Sequence, residues 1–191
     1  MDRSDEALYE SFITRNDEEA IRLLFDRYRD PLTCFIQGVV HNPDDAEEIM
    51  MDCFAIVVAA TSRFTGRGGS SFKTWLYAVA TKRARMFLRK NHMIGSLEDS
   101  DDLPADELAL PENGLLASEQ RAGLYNALHK LPADQRTVLY LRFFEEMKPE
   151  EISRVMKKSV KQIYKLTDRG KSALRELLAG LETEGNAIWD I

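Results

Sequence analysis

Apolar residues recur along this chain at three- and four-residue spacing, the period of an amphipathic helix. Asp5 to Ile13 reads as a short helix. After Asn16-Asp17 a longer one carries Ala20, Leu23, Leu24, Phe25 and Tyr28. Pro31 is expected to kink or interrupt it before the pattern resumes at Leu32, Phe35, Ile36, Val39 and Val40. His41-Asn42-Pro43 is a turn, because the residue before a proline is pushed out of the α region. The next helix opens on Asp44-Asp45, where acids suit a helix N-terminus, and buries Ala46, Ile49, Met50, Cys53 and Val57.

A Gly/Ser-rich loop, FTGRGGSS, then precedes a helix that Ser70 or Ser71 caps. Phe72, Trp75, Leu76, Val79, Ala80, Met86 and Phe87 share one broad arc of this helix, and Arg83 falls inside the arc. Lys82, Arg85 and Arg89 line one flank. Residues 94–118 show no helical periodicity and carry seven acids, so they read as a flexible linker. Beyond it, Leu124, Leu128 and Leu131 mark a helix closing at Pro132, and Asp134 opens a second through Val138, Leu139, Leu141 and Phe144. A third short helix over Ile152, Val155 and Met156 is followed by a turn at Lys157-Lys158. A fourth, capped by Ser159, runs to about Leu178. Two helices at this spacing match a helix-turn-helix, whose second helix enters the major groove of DNA. The predicted fold is therefore all-α: a helical domain over 1–93, a flexible acidic linker over 94–118, a four-helix domain with a helix-turn-helix over 119–178, and an acidic tail over 179–191 with a lone Trp189.

Charge changes this picture more than composition does. With 191 residues, 44% hydrophobic and 30% charged, the chain has the make-up of an ordinary soluble protein. The net charge of −6 hides two basic islands: residues 62–93 carry +8 and no acid, and residues 157–175 carry +6. An acidic strip of −7 over 94–118 separates them. A cationic helix beside an aromatic-bearing loop suits a phosphate backbone with bases free to stack; a solvated face and an anionic membrane surface are the other readings. In the last helix, Ile163, Leu166, Thr167, Gly170, Ala173, Leu174, Leu177 and Leu178 share an apolar arc opposite Lys161, Lys165 and Ser172. Gly170 costs about 1 kcal/mol there relative to alanine, which implies close packing. Asp44, Glu48 and Asp52 form an acid stripe at i, i+4, i+8, either a solvated face or a docking surface for a basic partner. Like charges at that spacing cost roughly 0.2–0.5 kcal/mol per pair.

Cys34 and Cys53 read as buried free thiols, and His41, His92 and His129 have no metal-ligand spacing, so neither cofactor nor metal is expected. No apolar run approaches the length needed to span a membrane, and the acidic start MDRSDEALYE has no signal core, so a cytoplasmic protein is expected. No nucleophile–base pairing or phosphate-cradling loop points to an enzyme.

The order and spacing of three pieces in the first half, LLFDRYRDPLTCFI, NPDDAEEIMMDCF and FTGRGGSSFKTWLYAVATKRARMFLRK, and of LPADQRTVLYLRFFEEMKPEEISRVM and KQIYKLTDRGKSAL in the second, carry a family resemblance. Together they resemble the bacterial RNA polymerase sigma factors of the extracytoplasmic-function group, in that family's second and fourth conserved regions. The resemblance implies that Asp45, Glu47, Glu48, Met51 and Asp52 dock on the core polymerase. It implies that Phe64, Arg67, Phe72, Lys73, Trp75, Lys82, Arg85 and Arg89 melt and hold the promoter element just upstream of the start site. It implies that Ser159, Lys161, Gln162, Tyr164, Lys165 and Arg169 read the farther upstream duplex element, and that residues 94–118 thread toward the polymerase cleft. Core polymerase and promoter DNA are the implied partners, and many relatives are also held by an anti-sigma factor. The chain departs from the family pattern at Met51, often Gln, and at Lys82 and Met86, commonly Asn and Asp. In the turn Lys157 replaces a usual Gly and Ser153 a usual Ala, and Gln162-Ile163 stands for a usual Thr-Val. The alternative is a stand-alone helix-turn-helix regulator that binds operator DNA directly.

Overall fold

The computed structural model describes residues 3–59, 63–95, 123–124 and 126–179, with the backbone alone at residues 67 and 92–95. Most of the expected linker and the acidic tail, including Trp189, lie outside the described residues. All regular structure among those described is helical.

Four long helices open the chain: α1 (Asp5–Arg15), α2 (Glu18–Val40), α3 (Pro43–Ala59) and α4 (Phe72–Gly95). Each start has a local cause. Ser4 accepts the Ala7 N–H at the head of α1, and Asp17 accepts the Ala20 N–H at the head of α2. Asn42 accepts the Asp45 N–H at the head of α3. Asn16 and His41, both left-handed, close α1 and α2. The expected break at Pro31 does not occur, and α2 runs through it. A helix-interior proline costs about 3 kcal/mol, and here burial outweighs that cost: α2 packs on α1, α3 and α4, burying Leu24, Leu32, Phe35 and Ile36 completely or nearly so. Cys53 lies fully buried on α3, and desolvation pushes its thiol pKa up to about 12.

The buried row of α4 differs from the predicted arc. Phe72, Leu76, Tyr77, Ala80, Thr81 and Ala84 are buried, whereas Trp75, Val79 and Phe87 are half-buried and Met86 is 42% exposed. Ala80 and Ala84 are small and fully buried. Beyond Ala84 no described side chain is buried, so the apolar pattern outruns the cover. Arg83, which breaks that pattern, reaches Asp52 of α3 at 3.7 Å.

The second half of the chain carries α5 (helical at residues 123–124 and 126–129), α6 (Ala133–Leu139), α7 (Pro149–Met156) and α8 (Val160–Ala179). Tyr140–Phe144 extend α6 as a wider π turn, which stacks Tyr140 on Phe144 with ring centroids 5.0 Å apart. Phe144, expected inside, is 41% exposed. Arg136 of α6 is almost buried and donates to the His129 and Leu131 carbonyls at the end of α5. The described residues divide into two compact units, one holding α1–α4 and α7, the other α5, α6 and α8. In the second, α6 packs on α8, with Gly170 close to Leu139 and Gln135. Along the chain, α7, left-handed Lys157, capping Ser159 and α8 follow one another in the order expected of a helix-turn-helix.

Candidate nucleic-acid interface

The loop before α4 owes its shape to glycine. Gly66, Gly68 and Gly69 take φ of 62°, 68° and 67°, a conformation that costs roughly 1–2 kcal/mol for a residue with a Cβ. The backbone makes one tight turn over Arg67–Gly69, with left-handed Gly68 inside it, and then extends through Ser70. Ser71, one of the two predicted caps, closes the loop: its Oγ accepts the Thr74 N–H at 3.1 Å, and its carbonyl accepts the Trp75 N–H at 3.1 Å.

Four rings meet at this point. Phe64, Phe72 and Trp75 pack on one another and on Tyr9 of α1, with centroids 5.3–6.1 Å apart. Such edge and tilted pairs contribute about 0.5–1.5 kcal/mol each beyond burial. Phe72 is fully buried, so it supports the loop from beneath and does not present itself to a ligand, contrary to the surface role expected of it. Phe64 and Trp75 are half-buried. Lys73 is half-buried too, and Arg67 is described only by its backbone. Lys82, Arg85 and Arg89 are exposed along one side of α4, which continues the cationic surface away from the rings.

On α3, Glu47, Glu48, Met51 and Asp52 are exposed and Asp45 half-buried. Asp52 is not independent of the basic helix, since it faces Arg83. With both groups substantially exposed, that pair is worth no more than about 1 kcal/mol. Met51, 51% exposed among carboxylates, gives this surface an apolar centre.

On α8 the predicted readout residues sit together. Ser159, Lys161, Gln162, Tyr164, Lys165 and Arg169 are all exposed, Tyr164 at 55%. Ser159 and Gln162 form a reciprocal capping box: the Gln162 N–H donates to Ser159 Oγ, and the Ser159 N–H donates to Gln162 Oε1 at 2.8 Å. The amide oxygen of Gln162 is therefore committed to the cap. Lys158 anchors the preceding turn to Asp134 of α6 at 2.9 Å. Lys171 lies over the Phe143 ring at 4.8 Å, so that cation faces an aromatic surface of its own unit.

The sequence reading missed Glu6 and Tyr9, which approach the loop from α1, and the Asp52–Arg83 pair. Each joins residues far apart in the chain, and no spacing rule signals such contacts.

Two family models match, Sigma-70 region 2 over residues 24–93 and Sigma-70, region 4 over residues 121–174. The chain belongs to the sigma-70 family of RNA polymerase sigma factors. Several of the relatives it resembles are named as extracytoplasmic-function (ECF) sigma factors. It is 29% identical over 186 residues to the RNA polymerase sigma-H factor of Pseudomonas aeruginosa, covering 90% of this chain and 93% of that one. It is 29% identical over 173 residues to the ECF RNA polymerase sigma factor SigX of Bacillus subtilis, covering 87% and 88%. Among solved structures, the sigma factor RpoE of Bartonella quintana, in complex with the anti-sigma factor NepR, superposes with a TM-score of 0.71 at 21% identity, covering 83% of this sigma factor and 96% of that chain. Among the described residues no helix is long and apolar enough to cross a membrane.

Proposed function

We propose that this sigma factor captures core RNA polymerase through the acidic face of α3, opens the promoter with the Phe64–Ser71 loop and α4, and reads an upstream duplex element with α8. The catalysis belongs to the polymerase, and the work is done in the cytoplasm. The observation that carries the proposal is the loop itself. Three left-handed glycines hold open backbone beside half-exposed Phe64 and Trp75, with Lys82, Arg85 and Arg89 exposed on the helix that follows. A base that leaves the duplex stacks on an aromatic ring, and the phosphates on either side settle on cations. Duplex binding requires neither the loop nor the rings, which favours melting over simple operator binding. On α8, Lys161, Lys165 and Arg169 supply phosphate contacts, while Gln162 and Tyr164 near its N-terminus supply base contacts.

Residues 1–93 form the polymerase-binding and melting domain in this proposal, and residues 119–178 the duplex-reading domain. Residues 94–118, with seven acids, are the tether that enters the polymerase cleft as a polyanion. An anti-sigma factor is a further partner; the similar RpoE structure was solved as a complex with one. The test is transcription with purified core polymerase on genomic DNA. New start sites that appear only when both are present support the proposal. Retardation of a specific duplex by the free protein at physiological salt, with no effect of core enzyme, would establish a stand-alone regulator instead.

A further inference from the structure

The melting loop is held at both ends by a helix that precedes it by some fifty residues in the sequence. That helix, α1, lies outside the residues matched to region 2. The loop has little to hold it from within: a Cβ placed on Gly68 or Gly69 would meet nothing within 4 Å. Arg154 of α7 donates to the Gly69 carbonyl at 3.2 Å, and Ser71 and Thr74 donate to Glu151 of α7. The other fixed points are in α1. At the entry, the Phe64 ring packs edge-on against Tyr9 with centroids 5.9 Å apart, and the Phe64 N–H donates to the Tyr9 hydroxyl across 3.4 Å. At the exit, the Phe72 N–H donates to Glu6 Oε1 at 3.0 Å. This N–H is one of the orphan donors at the start of α4, and a carboxylate there is also favoured by the helix dipole. Glu6 and Tyr9 are three residues apart, on one face of one turn of α1. Tyr9 is 4% exposed and touches Phe72 and Trp75 as well.

The turn that makes these contacts is itself anchored. Asp5, beside Glu6, accepts from both Arg27 and the Tyr28 hydroxyl of α2. Burial, aided by the Asp5 hydrogen bond, pushes the Tyr28 phenol far above its ordinary range, so it stays a donor. Adjacent carboxylates thus tie α1 to α2 and to α4.

We propose that Glu6 and Tyr9 are positioning residues for promoter opening: they set the distance and orientation between the two ends of the Phe64–Ser71 loop and touch no nucleic acid themselves. This rests on the assignment of that loop to melting.

The experiment uses the full chain in a Trp189→Phe background, which leaves Trp75 as the sole indole. Four variants are compared: Glu6→Ala, Glu6→Gln, Tyr9→Leu and Tyr9→Phe. Two readouts serve, acrylamide quenching of Trp75 in the free protein and affinity of the holoenzyme for a labelled single strand from a promoter mapped with the wild type. Core capture and thermal midpoint are followed in parallel. Glu6→Ala and Tyr9→Leu are expected to make Trp75 more quenchable and to weaken strand binding about tenfold, the loss of roughly one base-stacking contact, with core capture unchanged. Glu6→Gln, whose amide oxygen still accepts the Phe72 N–H, and Tyr9→Phe, which keeps the ring, are expected to stay within about threefold of the parent. Parental quenching and strand affinity in Glu6→Ala and Tyr9→Leu would overturn the proposal. So would losses that merely track thermal midpoint and core capture, with no rescue in Glu6→Gln. If the wild-type holoenzyme itself binds no promoter strand, the melting assignment fails. The quenching series, which needs no polymerase, still decides whether α1 holds the loop.

Discussion

Gly170 of α8 lies so close to Leu139 of α6 that a Cβ placed on it would stand 3.1 Å from both Cγ and Cδ1 of the leucine. Leu139 is 2% exposed and has little room to retreat. Two effects compete in Gly170→Ala: a propensity gain of about 1 kcal/mol and an overpacking cost of about 1–3 kcal/mol. Overpacking is expected to prevail, lowering the urea midpoint. The check is a double-mutant cycle with Leu139→Ala, which removes the obstructing atoms. Gly170→Ala should turn neutral or stabilising in that background, with a coupling of at least about 1 kcal/mol.

Lys157 precedes α8 with φ of 54°, at a position where the family resemblance has a usual glycine. Lys157→Gly removes a left-handed penalty of about 1–2 kcal/mol, offset by the added freedom of the unfolded chain at about 0.4–1 kcal/mol. A rise of a few degrees in the thermal midpoint is expected. Lys157→Ala, which loses the same charge but keeps a Cβ, should show no such rise.

Asp17 joins α1 to α2. Its carboxylate accepts from Ser11 at 2.7 Å, from the Ala20 N–H and from Arg3, and these bonds, Ser11's first, hold its pKa below the ordinary 3.8. A carboxylate whose pKa is lower in the folded state stabilises the fold at pH values above its unfolded pKa. The contribution fades as pH falls through 3.8 toward the folded value. Asp17→Asn keeps a capping oxygen and removes the titration. The difference in thermal midpoint between wild type and Asp17→Asn is therefore expected to be constant from neutral pH to about pH 5 and to shrink below it.

Lys165 is exposed on the face of α8 opposite the apolar arc. Lys165→Glu is expected to weaken holoenzyme binding to the upstream duplex element by about tenfold or more at physiological salt, and Lys165→Gln to lower the salt slope by about one. Melting of a promoter already opened in its downstream half should be unaffected. A uniform loss on both templates would place Lys165 elsewhere in the mechanism.

What the sequence disclosed was whatever depends on near neighbours. The α8 arc, Ser159 as a cap and close packing at Gly170 all follow from spacing within one helix or one turn, and all are present. Three misjudged features depend on the surroundings. Pro31 is carried by the packing of α2 on three other helices. Met86 repeats the apolar period at a point where the bundle no longer covers α4. Phe72 carries an aromatic signal that equally fits core and ligand surface, and burial assigns it to the core. The grip of Glu6 and Tyr9 on the loop bridges separations of 66 and 55 residues, for which periodicity offers no cue.

Cys53 supplies a different kind of consequence. Burial pushes its pKa up to about 12, so the Cys53 thiol stays protonated at neutral pH, and the thiolate is the form that oxidants and alkylating agents attack. The same inertness makes Cys53 a natural clock for the first unit: it should be alkylated only when α3 parts from its neighbours, so its labelling rate reports how often that bundle opens.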